Sequence, residues 1–132
     1  MDYLLDTNHA SKLLEGNESI ASKVNAFKNS GSRFSISTSI LGELFFAVFA
    51  SSRREENLLQ LREFLGDIIL WNFDATAAEE FGKIQAEQKT KGKPVPSIDA
   101  QIAAVARIHG LTVLTADQHF SFINSLSVEN WL

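Results

Sequence analysis

The stretch Tyr3-Leu4-Leu5-Asp6-Thr7-Asn8 begins with three consecutive apolar side chains and turns polar at Asp6. A short apolar run without alternation predicts a strand that is buried on both faces of a sheet. The helix that we predict after it starts near Thr7 and ends near Gly16. A buried strand that leads directly into a helix is typical of a β–α–β unit, so this stretch predicts a parallel sheet covered by helices.

The same alternation of short strands and helices continues along the chain. Further strands are predicted at residues 33–37, 68–71 and 112–114, and a fifth begins near Val128. Helices are predicted at residues 19–27, 41–50, 54–65 and 75–91. Another helix is predicted to be capped by Ser97 and to end at Gly110, and a short one lies around Phe120 and Phe122. No repeat or Pro/Gly-rich linker divides the chain. We therefore expect one α/β domain over residues 1–132, a three-layer α/β/α sandwich whose central parallel sheet has four to five strands.

The composition is that of an ordinary globular protein, because 45% of the 132 residues are hydrophobic and 21% are charged. The lack of cysteine excludes disulfides, thiolate zinc sites and cysteine nucleophiles. A net charge of −4 argues against a simple basic-patch binder of nucleic acid, but it is compatible with an acidic site that holds cations against phosphate. The acidic start does not suit a secretory signal, and no apolar run approaches the ~20 residues that span a bilayer. We expect a cytoplasmic protein.

Four carboxylates are delivered by separate segments toward one edge of the predicted sheet. Asp6 ends the first strand and Asp117 lies just past the fourth, so both should reach the rim formed by the carboxyl ends of the strands. In sheets of this type, ligands bind at that rim. Glu43 lies early in the helix that follows the second strand, and Asp99 occupies the first turn of a later helix.

Each of three acids alone has a structural explanation: Asp6 can cap a helix, Asp99 can favour a helix dipole, and Asp117 can belong to a turn. Glu43 interrupts an apolar helix, where a carboxylate needs a partner. Two carboxylates about 4 Å apart repel by about 4 kcal/mol at an effective dielectric near 20, so a cluster of four requires protons or cations. Oxygen ligands favour Mg²⁺ or Mn²⁺ over zinc. Our hypothesis is metal-assisted hydrolysis of phosphodiester bonds.

Four ordered motifs resemble those of the PIN-domain nucleases, and most closely the VapC-like toxins of bacterial toxin–antitoxin pairs. The motifs span nearly the whole chain: Leu4–Asn8, Ser39–Leu44, Ser97–Ala106 and Leu111–Phe120. The resemblance implies a parallel sheet with the first strand at its centre and RNA cleavage that depends on Mg²⁺ or Mn²⁺. It also implies inhibition by a cognate antitoxin protein.

Carried over position by position, the resemblance makes Asp6, Glu43 and Asp99 the core catalytic metal ligands. Asp117 matches a fourth position that varies within the family and is often asparagine. Thr7 and Thr115 match hydroxyl positions that support the acids or a bound water. Asn8 follows Thr7 in the first motif, and we group it with these supporting residues.

Three further sets of residues have both structural and functional interpretations. The lysines at 89, 91 and 93 can hold RNA phosphates, but we favour the simpler explanation of a solvated helix end whose positive charges suit the helix dipole. Phe45, Phe46 and Phe49 offer more apolar surface than one helix face needs, which suits an antitoxin groove or a homodimer face. His9, His109 and His119 are scattered, and we expect surface or structural roles, with His119 close enough to Asp117 to touch substrate.

Other enzyme classes that place an aspartate after the first strand fit less well. A haloacid-dehalogenase-like phosphatase needs a second aspartate at the place of Asn8, and receiver domains need paired acids where only Asp6 is present. No phosphate-cradling glycine loop occurs. Two alternatives stay open at this point: a DNA-directed metal nuclease, and a non-catalytic PIN-like module that binds RNA or protein.

Overall fold

Five parallel strands form one sheet in the computed structural model, which describes residues 1–132. Numbered along the chain, they are β1 (Asp2–Leu5), β2 (Arg33–Ser37), β3 (Ile69–Trp71), β4 (Thr112–Leu114) and β5 (Ser127–Glu129). They lie in the order β3-β2-β1-β4-β5, and every neighbouring pair is parallel. The predicted parallel sheet is confirmed, with the first strand at its centre.

Six α-helices and one 3₁₀-helix (Gln118–Phe122) connect and flank the strands. The α-helices are α1 (Thr7–Leu14), α2 (Glu18–Asn29), α3 (Thr38–Phe49), α4 (Arg54–Gly66), α5 (Ala75–Lys91) and α6 (Ser97–His109). Helices α1 to α4 contact one another, and α5 packs along α6. The predicted three-layer α/β/α architecture is confirmed. None of the helices combines the length and the apolar character that crossing a membrane requires.

Two helices begin at positions other than those predicted from the sequence pattern. The Ser37 hydroxyl accepts a hydrogen bond from the Ile40 N–H at 3.5 Å, so α3 begins at Thr38 rather than near residue 41. The prediction that Ser97 caps α6 is wrong. Ser97 is the first residue of that helix, and the preceding Pro96 makes no side-chain cap.

The central strands supply the core of the sheet, whereas its two edges are exposed. Leu70 on β3 is 42% exposed and Val128 on β5 is 36% exposed, because each edge strand has a neighbour on one side only. The expectation of complete burial therefore fails at the edges. It holds at the centre, where the fully buried side chains include Leu4, Leu5, Ile36, Val113 and Leu114. Burying each such side chain contributes about 1.5–3 kcal/mol.

Helix α6 lies close to the core because its inward positions are small. Ala100 and residues 102–106 are all buried, and four of these six side chains are alanine. Close approach of this helix brings Asp99, in its first turn, to the edge where the strands end, and leaves it only 8% exposed.

Candidate metal centre

Asp6 joins the first strand to the first helix. Its N–H donates to the Leu114 carbonyl of β4 at 3.0 Å, which holds the residue at the carboxyl end of the sheet. Its Oδ1 accepts the His9 N–H at 2.8 Å, so Asp6 is the N-cap of α1. The side chain is buried, and Oδ2 accepts no hydrogen bond from the protein. The structural and the metal-binding interpretations of Asp6 are therefore compatible, since they use different oxygens.

Asp99, Asp117 and His119 form the tightest group of potential ligands. One ligand atom from each lies within 4.8 Å of the other two. Asp117 is the N-cap of the 3₁₀-helix after β4, and its Oδ1 accepts the His119 N–H at 2.9 Å. The Thr115 hydroxyl accepts the Asp117 N–H at 3.0 Å and so restrains the backbone of this acid.

The Asp99 carboxyl is electrostatically unfavourable in its folded environment. Burial, followed by the nearby charge of Asp117 and with a further contribution from Glu43, raises its pKa to about 6 from an ordinary value of 3.8. Its Oδ2 is buried without a hydrogen-bond partner. The nearest basic atom is His119 Nδ1 at 3.7 Å, which is beyond hydrogen-bond distance. A cation bound beside Asp99 would relieve both problems.

The pKa of Asp117 shifts in the opposite direction to that of Asp99. Burial acts to raise the pKa of Asp117, but the hydrogen bonds and the charge of His119 outweigh it and the net pKa is lowered. The His119 Nδ1 lies 2.8 Å from Asp117 Oδ1. One carboxylate of the pair is thus held ionised while its neighbour retains a proton more readily, an arrangement expected of acids that share one site.

Glu43 reaches the same edge of the sheet from α3. The Thr7 hydroxyl donates a hydrogen bond to Glu43 Oε1, which ties the start of α1 to the early part of α3. The charge of Glu43 also contributes to the raised pKa of Asp99. Thr7 therefore contacts one of the acids directly. Asn8 is exposed and makes no side-chain hydrogen bond, and its supporting role stays a prediction.

Of the four predicted acids, Asp99 and Asp117 join His119 in a group whose ligand atoms lie within 4.8 Å of one another, and neither Asp6 nor Glu43 belongs to that group. Asp99 and Asp117 lie together, Glu43 lies within range of Asp99, and Asp6 is held beside the end of β4. Sequence reasoning underestimated His119, whose ring contacts Asp117 and approaches Asp99. Its position two residues after an acid that caps a turn is the signal that could have identified it.

Three of the other basic side chains named from the sequence, His9, His109 and Lys91, lie in structural contacts. His9 is fully buried, and His109 stacks on Trp71 with ring centroids 3.8 Å apart. Lys91 Nζ donates to the Phe122 carbonyl at 2.8 Å and to Asn124 at 3.0 Å. These contacts favour a structural role for Lys91.

The donor set fits a hard divalent cation. Carboxylate oxygens are the ligands that hard divalent cations prefer, and no cysteine is present to favour a softer ion. An anionic pocket without such a cation would repel a phosphate group. The arrangement is therefore suited to phosphodiester chemistry only when a cation is bound.

The chain is similar in sequence and in fold to proteins of a known family. The family model described as PIN domain matches residues 3–124. The tRNA(fMet)-specific endonucleases VapC of Shigella flexneri and Salmonella typhimurium are 31% and 32% identical to the chain, and each alignment covers 99% of the chain and 98% of the relative. A solved structure of DNA-bound VapBC from Salmonella typhimurium superposes with a TM-score of 0.90 at 30% identity, covering 100% of this chain and 99% of that one. VapBC2 from Rickettsia felis, bound to a DNA fragment from its promoter, gives a TM-score of 0.92 at 27% identity, with both chains covered completely.

Proposed function

The chain belongs to the PIN-domain family, and from this premise we propose that it is a divalent-metal-dependent endoribonuclease that acts as the toxin of a toxin–antitoxin pair. The observation that carries the metal dependence is the buried, unpartnered Oδ2 of Asp99 beside a second carboxylate. A protein rarely leaves a buried carboxylate oxygen unsatisfied unless the site serves a function.

Asp6, Glu43, Asp99 and Asp117 are the proposed metal ligands. Mg²⁺ or Mn²⁺ bound there supplies Lewis-acid stabilisation of the charge that develops on a phosphoryl oxygen. Asp6 offers its free Oδ2, and Asp99 offers its unpartnered Oδ2. The chain's own contribution is to hold these oxygens together on a rigid sheet edge before the substrate arrives.

The neighbouring hydrogen bonds restrict how the acids can move. Thr7 holds Glu43 through its hydroxyl, and Thr115 holds the backbone of Asp117. The ring of His119 contacts Asp117 and is 44% exposed on its side chain, so it lies where a substrate can reach it. Thr7 and Thr115 act on substrate only through the acids that they position.

A cleavage assay with matched variants tests the proposed activity. The purified chain is incubated with initiator tRNA, elongator methionine tRNA, an mRNA fragment and DNA of the same sequence, with Mn²⁺, Mg²⁺ or EDTA. Asp6→Asn and Asp99→Asn should each lower cleavage at least 100-fold. Asp67→Asn makes the same chemical change just before β3, at the end of the sheet where the strands begin. This control variant should cleave like the wild type.

The substrates discriminate among the remaining functions. Initiator tRNA is the first RNA to test because two relatives are named as tRNA(fMet)-specific endonucleases. Cleavage of DNA alone would identify a DNA-directed nuclease. No cleavage of any substrate by the wild type would leave a non-catalytic module and contradict the proposed activity.

An exposed apolar surface on α3 and α4 suits the antitoxin. Phe46, Phe49 and Leu59 are 76%, 51% and 63% exposed, respectively. A separate cavity of about 230 Å³, which none of these three side chains lines, lies between α1, α3 and α4, with Leu14 and Val48 in its wall. Apolar surface of this kind accepts an amphipathic helix.

Co-purification with the cognate antitoxin tests this surface. Phe46→Glu and Phe49→Glu should abolish co-purification with little change in Tm, because both rings are mostly exposed. Leu70→Glu, at an exposed apolar position on the edge strand β3, is the control. Sedimentation of the toxin alone distinguishes the alternative occupant, since a homodimer on this face would dissociate in the two phenylalanine variants.

A further inference from the structure

The fully buried His9 bridges the first metal-site acid and the C-terminal end of the chain. Its Nδ1 lies 3.0 Å from Asp6 Oδ1, and its Nε2 lies 3.1 Å from the backbone nitrogen of Trp131. Trp131 is 122 residues away in sequence. The side chain of His9 is 0% exposed, so no solvent competes for either ring nitrogen.

The two hydrogen bonds determine the tautomer of the ring. A backbone N–H can only donate, so Nε2 must accept from Trp131 and carries no proton. The neutral ring therefore carries its proton on Nδ1 and donates it to Asp6 Oδ1. Oδ1 also receives the His9 N–H, which leaves Oδ2 as the oxygen available to a ligand.

Trp131 is itself held firmly in place. The centroid of its ring lies 4.9 Å from that of Tyr3 and 4.9 Å from that of Phe27. The Lys23 ammonium lies 4.4 Å from the centroid of the Trp131 ring. The indole N–H donates to Glu129 at 3.0 Å. The backbone N–H that reaches His9 is thus fixed by an aromatic cluster on the sheet and on α2.

We propose that His9 is a positioning residue for the metal site, which holds Asp6 in the orientation that presents Oδ2 and which depends on the anchored backbone of Trp131. This inference rests on the proposed metal-dependent nuclease function. Partners that orient metal ligands typically change metal affinity by about 10- to 100-fold when they are removed. The C-terminal segment would thereby control a site to which it contributes no ligand.

Three substitutions at position 9 separate the two hydrogen bonds. His9→Phe removes both while keeping a planar ring. His9→Asn keeps an amide donor at the place of Nδ1, whereas His9→Gln places its amide near Nε2 and loses the donor to Asp6. Mn²⁺ binding is measured by calorimetry at one pH near 7.5 and 25 °C, without RNA, and the Tm of each variant is recorded.

From tightest to weakest Mn²⁺ binding, the expected order is wild type, His9→Asn, His9→Gln and His9→Phe. The His9→Phe variant should bind at least 10-fold more weakly than the wild type. If the Phe variant does not fold, the Asn and Gln variants decide alone, and Asn must bind more tightly than Gln. Affinities within twofold of the wild type in every folded variant would overturn the proposal. A ring proton found on Nε2 by NMR would overturn it as well.

A substitution at Trp131 tests whether metal binding depends on the C-terminal segment. Trp131→Ala keeps the backbone N–H but removes the ring that anchors it, and it should weaken Mn²⁺ binding severalfold. In the His9→Phe background the same change should have no further effect, because the bridge is already absent. An equal loss in both backgrounds would show that Trp131 does not act through His9.

Failure of this inference is distinguishable from failure of the proposed function. A wild-type chain that binds no Mn²⁺ would refute the metal site itself. A wild type that binds Mn²⁺ and cleaves RNA, with His9 variants that bind equally well, would refute only the positioning role.

Discussion

Replacing Asp99 with asparagine should stabilise the metal-free protein while it abolishes cleavage. The folded state raises the pKa of this carboxyl to about 6, because Asp99 is buried and lies beside the charges of Asp117 and Glu43. At neutral pH the folded chain must therefore hold a charge that the unfolded chain carries at no such cost. The asparagine of the Asp99→Asn variant would be uncharged, and its amide can donate toward Asp117.

The pKa difference gives the size and the pH window of the effect. A shift from 3.8 to about 6 corresponds to a stability penalty of about 3 kcal/mol at pH 7. Because the folded pKa lies above the unfolded one, the folded chain takes up a proton as the pH falls, and the penalty shrinks to about half by pH 5. The Asp99→Asn variant should thus gain about 10 °C in Tm at pH 7 for a chain of this length, and less at pH 5.

Thermal unfolding of the metal-free chain measures this difference directly. Wild type, Asp99→Asn and Asp67→Asn are compared in EDTA at several pH values between 5 and 7.5. The Asp67 variant makes the same substitution on an exposed residue outside the site and should follow the wild type. Adding Mn²⁺ should raise the Tm of the wild type more than that of the Asp99→Asn variant, since ligand binding stabilises only the competent site.

Two results would refute this reasoning. An Asp99→Asn variant that is less stable than the wild type at pH 7 would mean that the carboxylate is satisfied in the folded state. A stability difference that does not change between pH 5 and 7 would mean that it does not arise from the ionisation of Asp99.

Three further predictions concern individual contacts. Glu43→Gln should lower RNA cleavage at least 100-fold with a Tm close to that of the wild type, because the amide oxygen can still accept the Thr7 hydroxyl; retained cleavage would exclude Glu43 as a ligand. His119→Ala should raise the pKa of Asp117 toward its ordinary value, because it removes the ring contact while the backbone N–H stays. An unchanged pKa of Asp117 in a carboxyl-carbon NMR titration would contradict this role of the His119 ring. Arg107→Met should lower the free energy of unfolding by about 1–3 kcal/mol, because Arg107 is 15% exposed and donates to two carboxylates of α5; urea unfolding with an unchanged midpoint would contradict it.

The sheet and the rim positions of Asp6 and Asp117 could be predicted because they follow from strand direction. A short apolar run announces a buried strand, and parallel strands end at one edge. The exposure of β3 was less predictable, since Ile69–Trp71 is as apolar as the central strands and differs in having one neighbour, whereas β5 carries the polar residues Ser127 and Glu129. Burial at an edge depends on what the rest of the chain covers, which no local pattern contains.

The side-chain partnerships could not be predicted for the same reason. The Thr7–Glu43 hydrogen bond joins residues 36 positions apart, and the His9–Trp131 contact joins residues 122 positions apart. Both depend on tertiary packing rather than on periodicity. His119 is different, because its contact with Asp117 is local, and a turn capped by an acid could have indicated it.

The structural and metal-binding explanations of Asp6 are usually treated as alternatives, and here the first assists the second. Capping α1 and accepting the His9 ring occupy Oδ1 and fix the plane of the carboxylate. A carboxylate fixed through one oxygen presents the other in a defined direction, so the cap helps to organise the site before a cation binds. Because Oδ2 takes no part in the cap, its negative charge remains available to a cation. Asp6, which caps the first helix, is thereby also suited to bind metal. The proposed site lies where the chain passes from strand to helix, at the carboxyl ends of the strands.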